Sequence, residues 1–505
     1  MRSLKKDKIK KDTVLRRVSE REVSMKVNVG CNSLTMAELA RICGGILTCV
    51  GGDGYRDIHF KSVCTDSRET ADGSLFVALG GEKVDGHDYI GAALSSGSGC
   101  VLCERIPEAF SDRKYVAVVV DDSIKAVGEL AKAYDRRLNH RKVAVTGSVG
   151  KTTTKEFVAA VLAEAFKVHK TEGNYNSNIG MPLSMLSMKG DTEVSVLEMG
   201  MSGMGEIEYL SKIAEPDIAI VTNIGSSHMG HLGSRENIFK AKLEIVSGLK
   251  KGGTLLLNGD DDMLRTYRSN EVEPIFIGID SDADFRAVNI REGFGFTMYD
   301  VLMGQRTLKN VVIPAMGKHN VYASLFAIAV AVGMSLDEDA ILRGLKNFKP
   351  VGMRQNIYGL GDITVIEDCY NASPESMRAA LGVLGTLGAL GGGRMVALLG
   401  DMYELGEKSE CFHEAVGLDF ARLGGSALFT FGSSADGIAG GAMLGGMSGE
   451  NIFRNGNINS PEISGEMLLH YLGKGDILLV KASRGAEAER VIKYLKEKPE
   501  RLCRQ

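Results

Sequence analysis

Val143–Phe157 reads VAVTGSVGKTTTKEF: an apolar strand candidate, a turn holding Gly147, Ser148, Val149 and Gly150, then Lys151, Thr152 and Thr153 opening a helix. Glycines let backbone N–H groups close around a phosphate, and a helix N-terminus adds partial positive charge there. Lys151 can neutralise phosphate oxygens, and the Thr152 hydroxyl can hold Mg²⁺. A glycine turn ahead of a surface helix has no need of strand, Gly, Lys, Thr and helix in that order, so the stretch points to an ATP-type phosphate site. A general phosphate loop has its first glycine where this chain has Val145, making this a shortened G-x-x-G-K-T-T.

Outward from this loop the chain alternates. Short apolar runs at VSVLEM, IAIVTNI and GTLLLN, each followed by polar or glycine-rich turns and separated by helical patterns, predict a mostly parallel sheet with crossover helices. HNVYASLFAIAVAVGM and DEDAILRGLKNF read as helices closing this region, and Pro350, Val351 and Gly352 as a hinge. A second alternation follows at DITVIED, RMVALLG, SALFTFG and DILLVKA, predicting a smaller doubly wound unit with ligands beyond the carboxyl ends of its strands. Ahead of the loop, MAELARICGGILT predicts a helix leading into a Gly- and Asp-rich segment with short apolar runs. The fold class is therefore α/β in three domains: a small N-terminal domain over 27–110, a central phosphate-loop domain over 111–349 and a C-terminal Rossmann-like domain over 350–505. Residues 1–26 are basic, lack the apolar stretch of a secretory signal, and are expected to form a disordered extension whose deletion is tolerated.

At 505 residues the chain is too long for one core. Its 44% hydrophobic and 25% charged residues are those of a water-soluble protein, and no run approaches the roughly 20 apolar residues of a membrane span. A net charge of -4 gives no basic field for nucleic acid, so a polyanionic ligand must be met locally. Nine scattered cysteines fit a reducing, cytoplasmic setting. Cys100-Val101-Leu102-Cys103 has redox spacing, but its apolar centre reads as a strand.

The loop resembles the T-G-x-x-G-K-T-T of the Mur ligase family, and the resemblance continues in the family's order. GNYNSNIGMPLSML from Gly173, LEMGMSGMGEIEYLS from Leu197, TNIGSSHMGHLGS from Thr222, KAKLEI from Lys240, MGKHN from Met316 and GMRQ from Gly352 all match. EDCYNASPESM, LGDMYELG and VKASRG are similar to the dipeptide-adding member, and the D-N-P typical of the member adding the third residue is absent. The resemblance implies an ATP-dependent, ADP-forming ligase that joins D-alanyl-D-alanine to a UDP-MurNAc-tripeptide through an acyl phosphate. It would use Mg²⁺ and act as a cytoplasmic monomer in peptidoglycan synthesis, without nucleic acid or membrane insertion. A sister ligase adding a single amino acid is the near alternative, and a phosphate-loop switch protein the remote one.

Residue by residue, the resemblance implies that Glu198, His228 and Lys242 join Thr152 around Mg²⁺, with Lys242 carbamylated by CO₂. Without it, Glu198 reads as a solvated strand end, His228 as structural, and Lys242 as a helix lysine paired with Glu236 or Glu244, with Lys240 its rival two residues away. Asn320 would read adenine beside His319, although Asn also caps helices. Arg354 would reach the γ-phosphate and Asp368 the ribose. Tyr370, Asn371, Lys481, Ser483 and Arg484 would face the second substrate or the closed interface, and Thr65, Asp66, Ser67 and Arg68 the UDP group. Asn174 and Asn176 offer amides to the cleft, where turns alone would also use them. Family members often carry an acidic residue near the position of Gly230.

Overall fold

A computed structural model describes residues 25–30, 34–52, 58–81 and 84–502. Three sheets organise it. The N-terminal sheet runs, edge to edge, Lys26–Asn28, Ser62–Cys64, Ser74–Val77, Cys100–Cys103, Tyr115–Val119, Ile46–Val50, with a parallel centre and an antiparallel strand at each edge. Two boundaries drawn from sequence move. Tyr115–Val119 hydrogen-bonds to Cys100–Cys103, so the first domain runs past residue 110. Met25 is buried and Lys26 opens a strand, so they do not belong to the extension; the rest of that expectation, residues 1–24, lies outside the described residues. Cys100–Cys103 is a fully buried strand, and burial pushes its thiols up to about 12 and about 11, far from redox reactivity.

The central sheet has nine strands. Its parallel part runs Val168–Lys170, Val194–Glu198, Arg141–Thr146, Ile218–Val221, Thr254–Asn258, Pro274–Gly278, Phe285–Gly293, and two antiparallel strands, Phe296–Met303 and Arg306–Ile313, extend it. Strands buried on both faces, such as Val194–Glu198, carry nearly unbroken apolar runs, as a parallel sheet between helices requires. The strand carrying the phosphate loop sits third from one edge, so its carboxyl end opens between Glu198 and Thr222 on the neighbouring strand ends. Phe157, on the helix after the loop, stacks on Phe348, which ties that helix to the end of the domain.

The C-terminal sheet is Asn356–Leu360, Ile363–Glu367, Ile477–Lys481, Met395–Gly400, Ala427–Phe431, Ile452–Asn455, parallel but for the first strand. The helix Pro374–Gly391 starts as expected, with a reciprocal capping box between Ser373 and Ser376. Among the described residues no helix is long and apolar enough to cross a membrane. The seam between the first two domains includes Gly30, whose N–H donates to Leu186 O at 3.0 Å, and a Cβ there would meet Met188 O at 2.1 Å.

Candidate functional site

Gly147 and Gly150 adopt φ of 147° and 82°, and a Cβ on Gly147 would collide with the Thr222 hydroxyl at 1.8 Å, so the turn needs glycine for both reasons. The next strand end supports the loop: Asn223 takes the Ser148 N–H with its carbonyl and the Val149 N–H with Oδ1, and Thr222 Oγ1 donates to Val149 O at 2.6 Å. Lys151 begins the helix and its Nζ donates to Gly147 O (2.8 Å) and Ser148 O (3.3 Å). Burial holds its ammonium below the usual lysine range, with Glu198 opposing and the charge of Arg354 adding to the effect.

Glu198 is 2% exposed, not a solvated strand end. Its Oε1 accepts from Thr152 Oγ1 (3.1 Å) and Asn176 Nδ2 (2.8 Å), while Oε2 has Lys155 Nζ at 3.7 Å and no hydrogen bond. Lys155, absent from the sequence reading, is itself buried and donates to Thr171 O at 2.6 Å. His228 has φ 65°, and its Nδ1 stands 2.7 Å from Glu404 Oε2, at ion-pair distance but off the hydrogen-bond direction. Burial keeps its ring below the ordinary histidine range although Glu404 pulls the other way.

Lys242 is 1% exposed and Lys240 is exposed, which settles which of the two faces inward. Neither Glu236 nor Glu244 pairs with Lys242; Glu244 instead accepts from the Gly205 and Glu208 N–H groups. Burial, then the charge of Lys151, holds the Lys242 amine well below its usual range. Among the described residues no three His, Cys, Asp or Glu side chains converge as a ready cation site.

A cleft of about 1580 Å³ between the central and C-terminal domains is lined by residues 148–154, Asn176, Glu198, His228, His319, Asn320, Arg354, Asp368, Tyr370, Asn371 and Lys481. Asn320 is no cap, since Gly317 holds that position; its Nδ2 donates to Met316 O (2.6 Å) and to Gln355 Oε1 (2.7 Å). His319 Nε2 meets the same Gln355 oxygen at 2.8 Å, and burial lowers its basicity. Arg354 lies over the Tyr370 ring, 4.0 Å from its centroid. Lys481, 2% exposed, donates to Asp368 Oδ2 (2.7 Å) and to the Asn371 carbonyl (3.0 Å).

Three family models match in order: the Mur ligase family catalytic domain over 59–141, the Mur ligase middle domain over 145–331 and the Mur ligase glutamate ligase domain over 353–484. A Bacillus subtilis UDP-N-acetylmuramoyl-tripeptide–D-alanyl-D-alanine ligase is 38% identical over 92% of this chain and 99% of its own length. The chain belongs to the Mur ligase family. The Escherichia coli ligase of the same name is 32% identical over 92% of this Mur ligase and 99% of its own length. MurF from Acinetobacter baumannii superposes with a TM-score of 0.83 at 28% identity, covering 93% of this chain and all of that one. Thermotoga maritima MurF in complex with ADP gives 0.76 at 30% identity, covering 87% and 97%.

The remaining expected residues of this Mur ligase lie away from the cleft, those expected at the UDP group in the first domain as the sequence implied. Thr65, Asp66, Ser67 and Arg68 lie in the N-terminal domain, where Thr65 Oγ1 accepts the Met25 N–H, Asp66 caps the turn Ser67–Glu69, and the Arg68 side chain, 83% exposed, binds Asp66. Asn174 is exposed outside the cleft lining. Ser483 is buried, accepts the Tyr403 N–H and donates to Ala372 O, and Arg484 pairs with Glu489; these contacts lie within the C-terminal domain, and neither residue lines the cleft. The sequence reading missed Gln355, Glu375 and Glu404, whose partners belong to another domain; their clue was a place inside motifs already quoted.

Proposed function

We propose that this Mur ligase joins D-alanyl-D-alanine to UDP-MurNAc-tripeptide with ATP, giving UDP-MurNAc-pentapeptide, ADP and phosphate. The observation that carries the reading is the interdomain cleft itself, in which the phosphate loop and Lys151 of one domain face Arg354 and the Asp368–Lys481 pair of the next. The names of the relatives, matched over nearly their whole length, supply the substrate pair. A free carboxylate resists an amine, so it is first made an acyl phosphate: its oxygen attacks the γ-phosphorus and the bond to ADP breaks. The dipeptide nitrogen then attacks the acyl carbon, phosphate leaves, and the nitrogen gives up its proton. Lys151, the first-turn N–H groups of its helix and Arg354 meet the charge of the transferring group, largely by positioning. Asn320 and His319 border the base, Asp368 the ribose, and Thr65–Arg68 the UDP group. Bringing the domains together excludes water from the acyl phosphate.

The donor set fits Mg²⁺ on one condition. Thr152, Glu198 and His228 offer a hydroxyl, a carboxylate with one oxygen lacking a hydrogen bond, and an imidazole, which is thin for a hard cation. Lys242, buried with its amine held toward the neutral form, would add CO₂, its nitrogen bonding the carbon and releasing a proton, and the carbamate would contribute the missing anionic oxygen. When bound, Mg²⁺ neutralises phosphate oxygens during transfer. Seven described cysteines are free thiols, which fits the cytoplasm, and the chain is proposed to act as a monomer.

The test is phosphate release with D-Ala-D-Ala, D-Ala, L-Lys and diaminopimelate on UDP-dipeptide and UDP-tripeptide acceptors, with products weighed by mass spectrometry. Turnover is expected with D-Ala-D-Ala on a tripeptide. Preference for a single amino acid on the UDP-dipeptide would assign a sister ligase instead.

A further inference from the structure

The loop 225–230 of the central domain carries His228, and it is gripped from outside its own domain. Ser226 donates twice, through its backbone N–H (2.8 Å) and its hydroxyl (2.7 Å), to Oε1 of Glu375 in the first turn of the C-terminal helix Pro374–Gly391. Four residues on, the Gly230 N–H donates to the Glu404 carbonyl at 3.0 Å. Between these two anchors His228 presents Nδ1 to Glu404 Oε2 at 2.7 Å.

Backbone geometry shows how closely the two loops are fitted. His228 and Glu404 both take φ 65°, a left-handed conformation that non-glycine residues keep only where their surroundings dictate it. A Cβ on Gly230 would lie 3.2 Å from Glu404 O and 3.3 Å from Gly406 N, and one on Gly225 2.8 Å from the Glu375 carboxyl carbon. The backbones of the two loops therefore meet at Gly230, and the Glu375 carboxylate fills the space beside Gly225.

We infer that Glu375 and Glu404 are positioning residues: by seating on loop 225–230, the C-terminal domain sets the ring of His228, so the cation-binding face of the central domain is completed only when the two domains meet. A carboxylate at Nδ1 fixes the proton there and leaves the Nε2 lone pair for an ion. With the C-terminal domain away, the ring loses that carboxylate and Ser226 and Gly230 lose their acceptors. Completion of the site is thereby tied to the domain closure that also delivers Arg354. The inference rests on the ligase reading above in taking His228 as a ligand.

The full chain is tested as Glu404→Ala, Glu404→Gln and Glu375→Ala. Three quantities are read: Mn²⁺ affinity with ADP by electron paramagnetic resonance, radius of gyration with ADP by small-angle X-ray scattering, and kcat and KM for phosphate release. Glu404→Ala is expected to weaken Mn²⁺ binding about 10- to 100-fold and to lower kcat. Its KM for ATP should move by less than about 3-fold. Glu404→Gln, which keeps an acceptor for Nδ1–H, should recover most of both losses, and Glu375→Ala should enlarge the ADP-bound particle. Wild-type Mn²⁺ affinity in Glu404→Ala, or unchanged scattering in Glu375→Ala, would overturn the inference. Failure of wild type to turn over any tripeptide, with the Mn²⁺ and scattering effects present, would sink the ligase reading and leave the coupling standing.

Discussion

Removing the carboxylate of Asp368 separates a structural debt from a nucleotide contact. Lys481 is 2% exposed, and among the described residues Asp368 Oδ2 at 2.7 Å is its one anionic partner; its other acceptors there are the carbonyls of Asp368 and Asn371 at 3.3 and 3.0 Å. Breaking a buried pair by deleting one member costs about 3–5 kcal/mol, because the other charge is left stranded. The Asp368 side chain is 18% exposed, so water reaches part of the site and about 2–3 kcal/mol is expected for Asp368→Ala. In a domain of some 150 residues that corresponds to a fall of roughly 4–12 °C in melting temperature. Arg306→Ala is the control, since it breaks a pair whose side chains are 67% and 51% exposed and which contributes about 0–1 kcal/mol. Asp368→Ala with Lys481→Met should regain most of the loss by removing the stranded charge. Calorimetry without nucleotide reads all four proteins. A melting temperature for Asp368→Ala no lower than that of the control would refute the reasoning and leave Asp368 as a ribose contact alone.

Lys151→Ala should reduce turnover at least 100-fold while leaving the melting temperature within a few degrees, because its contacts are to its own loop; near-normal phosphate release would remove the loop from the mechanism. Lys242→Ala should be inactive and regain partial activity with millimolar formate or acetate, whereas rescue by an alkylamine instead would show that a cationic lysine is required. Asp260 titrates low: burial raises it, but bonds from Ser281, Tyr322 and the Ile279 and Asp280 N–H groups hold it at about 2. Its contribution, on the order of 1–2 kcal/mol after solvent screening, is complete above the ordinary carboxylate value of 3.8 and is lost as pH falls through about 2. Acid titration of Asp260→Asn should accordingly lose less stability than wild type across pH 4 to 2, and identical slopes would contradict this.

The strands of the central and C-terminal sheets were legible where burial on both faces leaves uninterrupted apolar runs, as in Leu255–Leu257 and Val396–Leu399. Phe285–Gly293 and the antiparallel strands Phe296–Met303 and Arg306–Ile313 were not picked out: they are only half-buried and carry no long apolar run, and irregular register at Val288–Arg291 and Tyr299–Val301 breaks the period. In the site, residues whose role is set by their own strand end, such as Lys151 and Glu198, could be named from the sequence. Gln355, Glu375 and Glu404 could not, because their partners lie 35 to 176 residues away and the pairing exists only through the seating of one domain on another. Ser483 and Arg484 show the converse: a motif records which residues matter, and not whether they wall a pocket or brace it from behind, as their bonds within the C-terminal domain do.

Gly30 has a consequence for the order in which the molecule is made. Its N–H is received by the Leu186 carbonyl, which comes 156 residues later in the chain. At about 5–20 residues per second, Gly30 waits roughly 8–30 s during synthesis before that seam can close. During this interval the edge of Gly30 that will face Met188 is open to other chains, and a side chain there, destined to lie 2.1 Å from Met188 O, would leave the first domain folded but unable to dock.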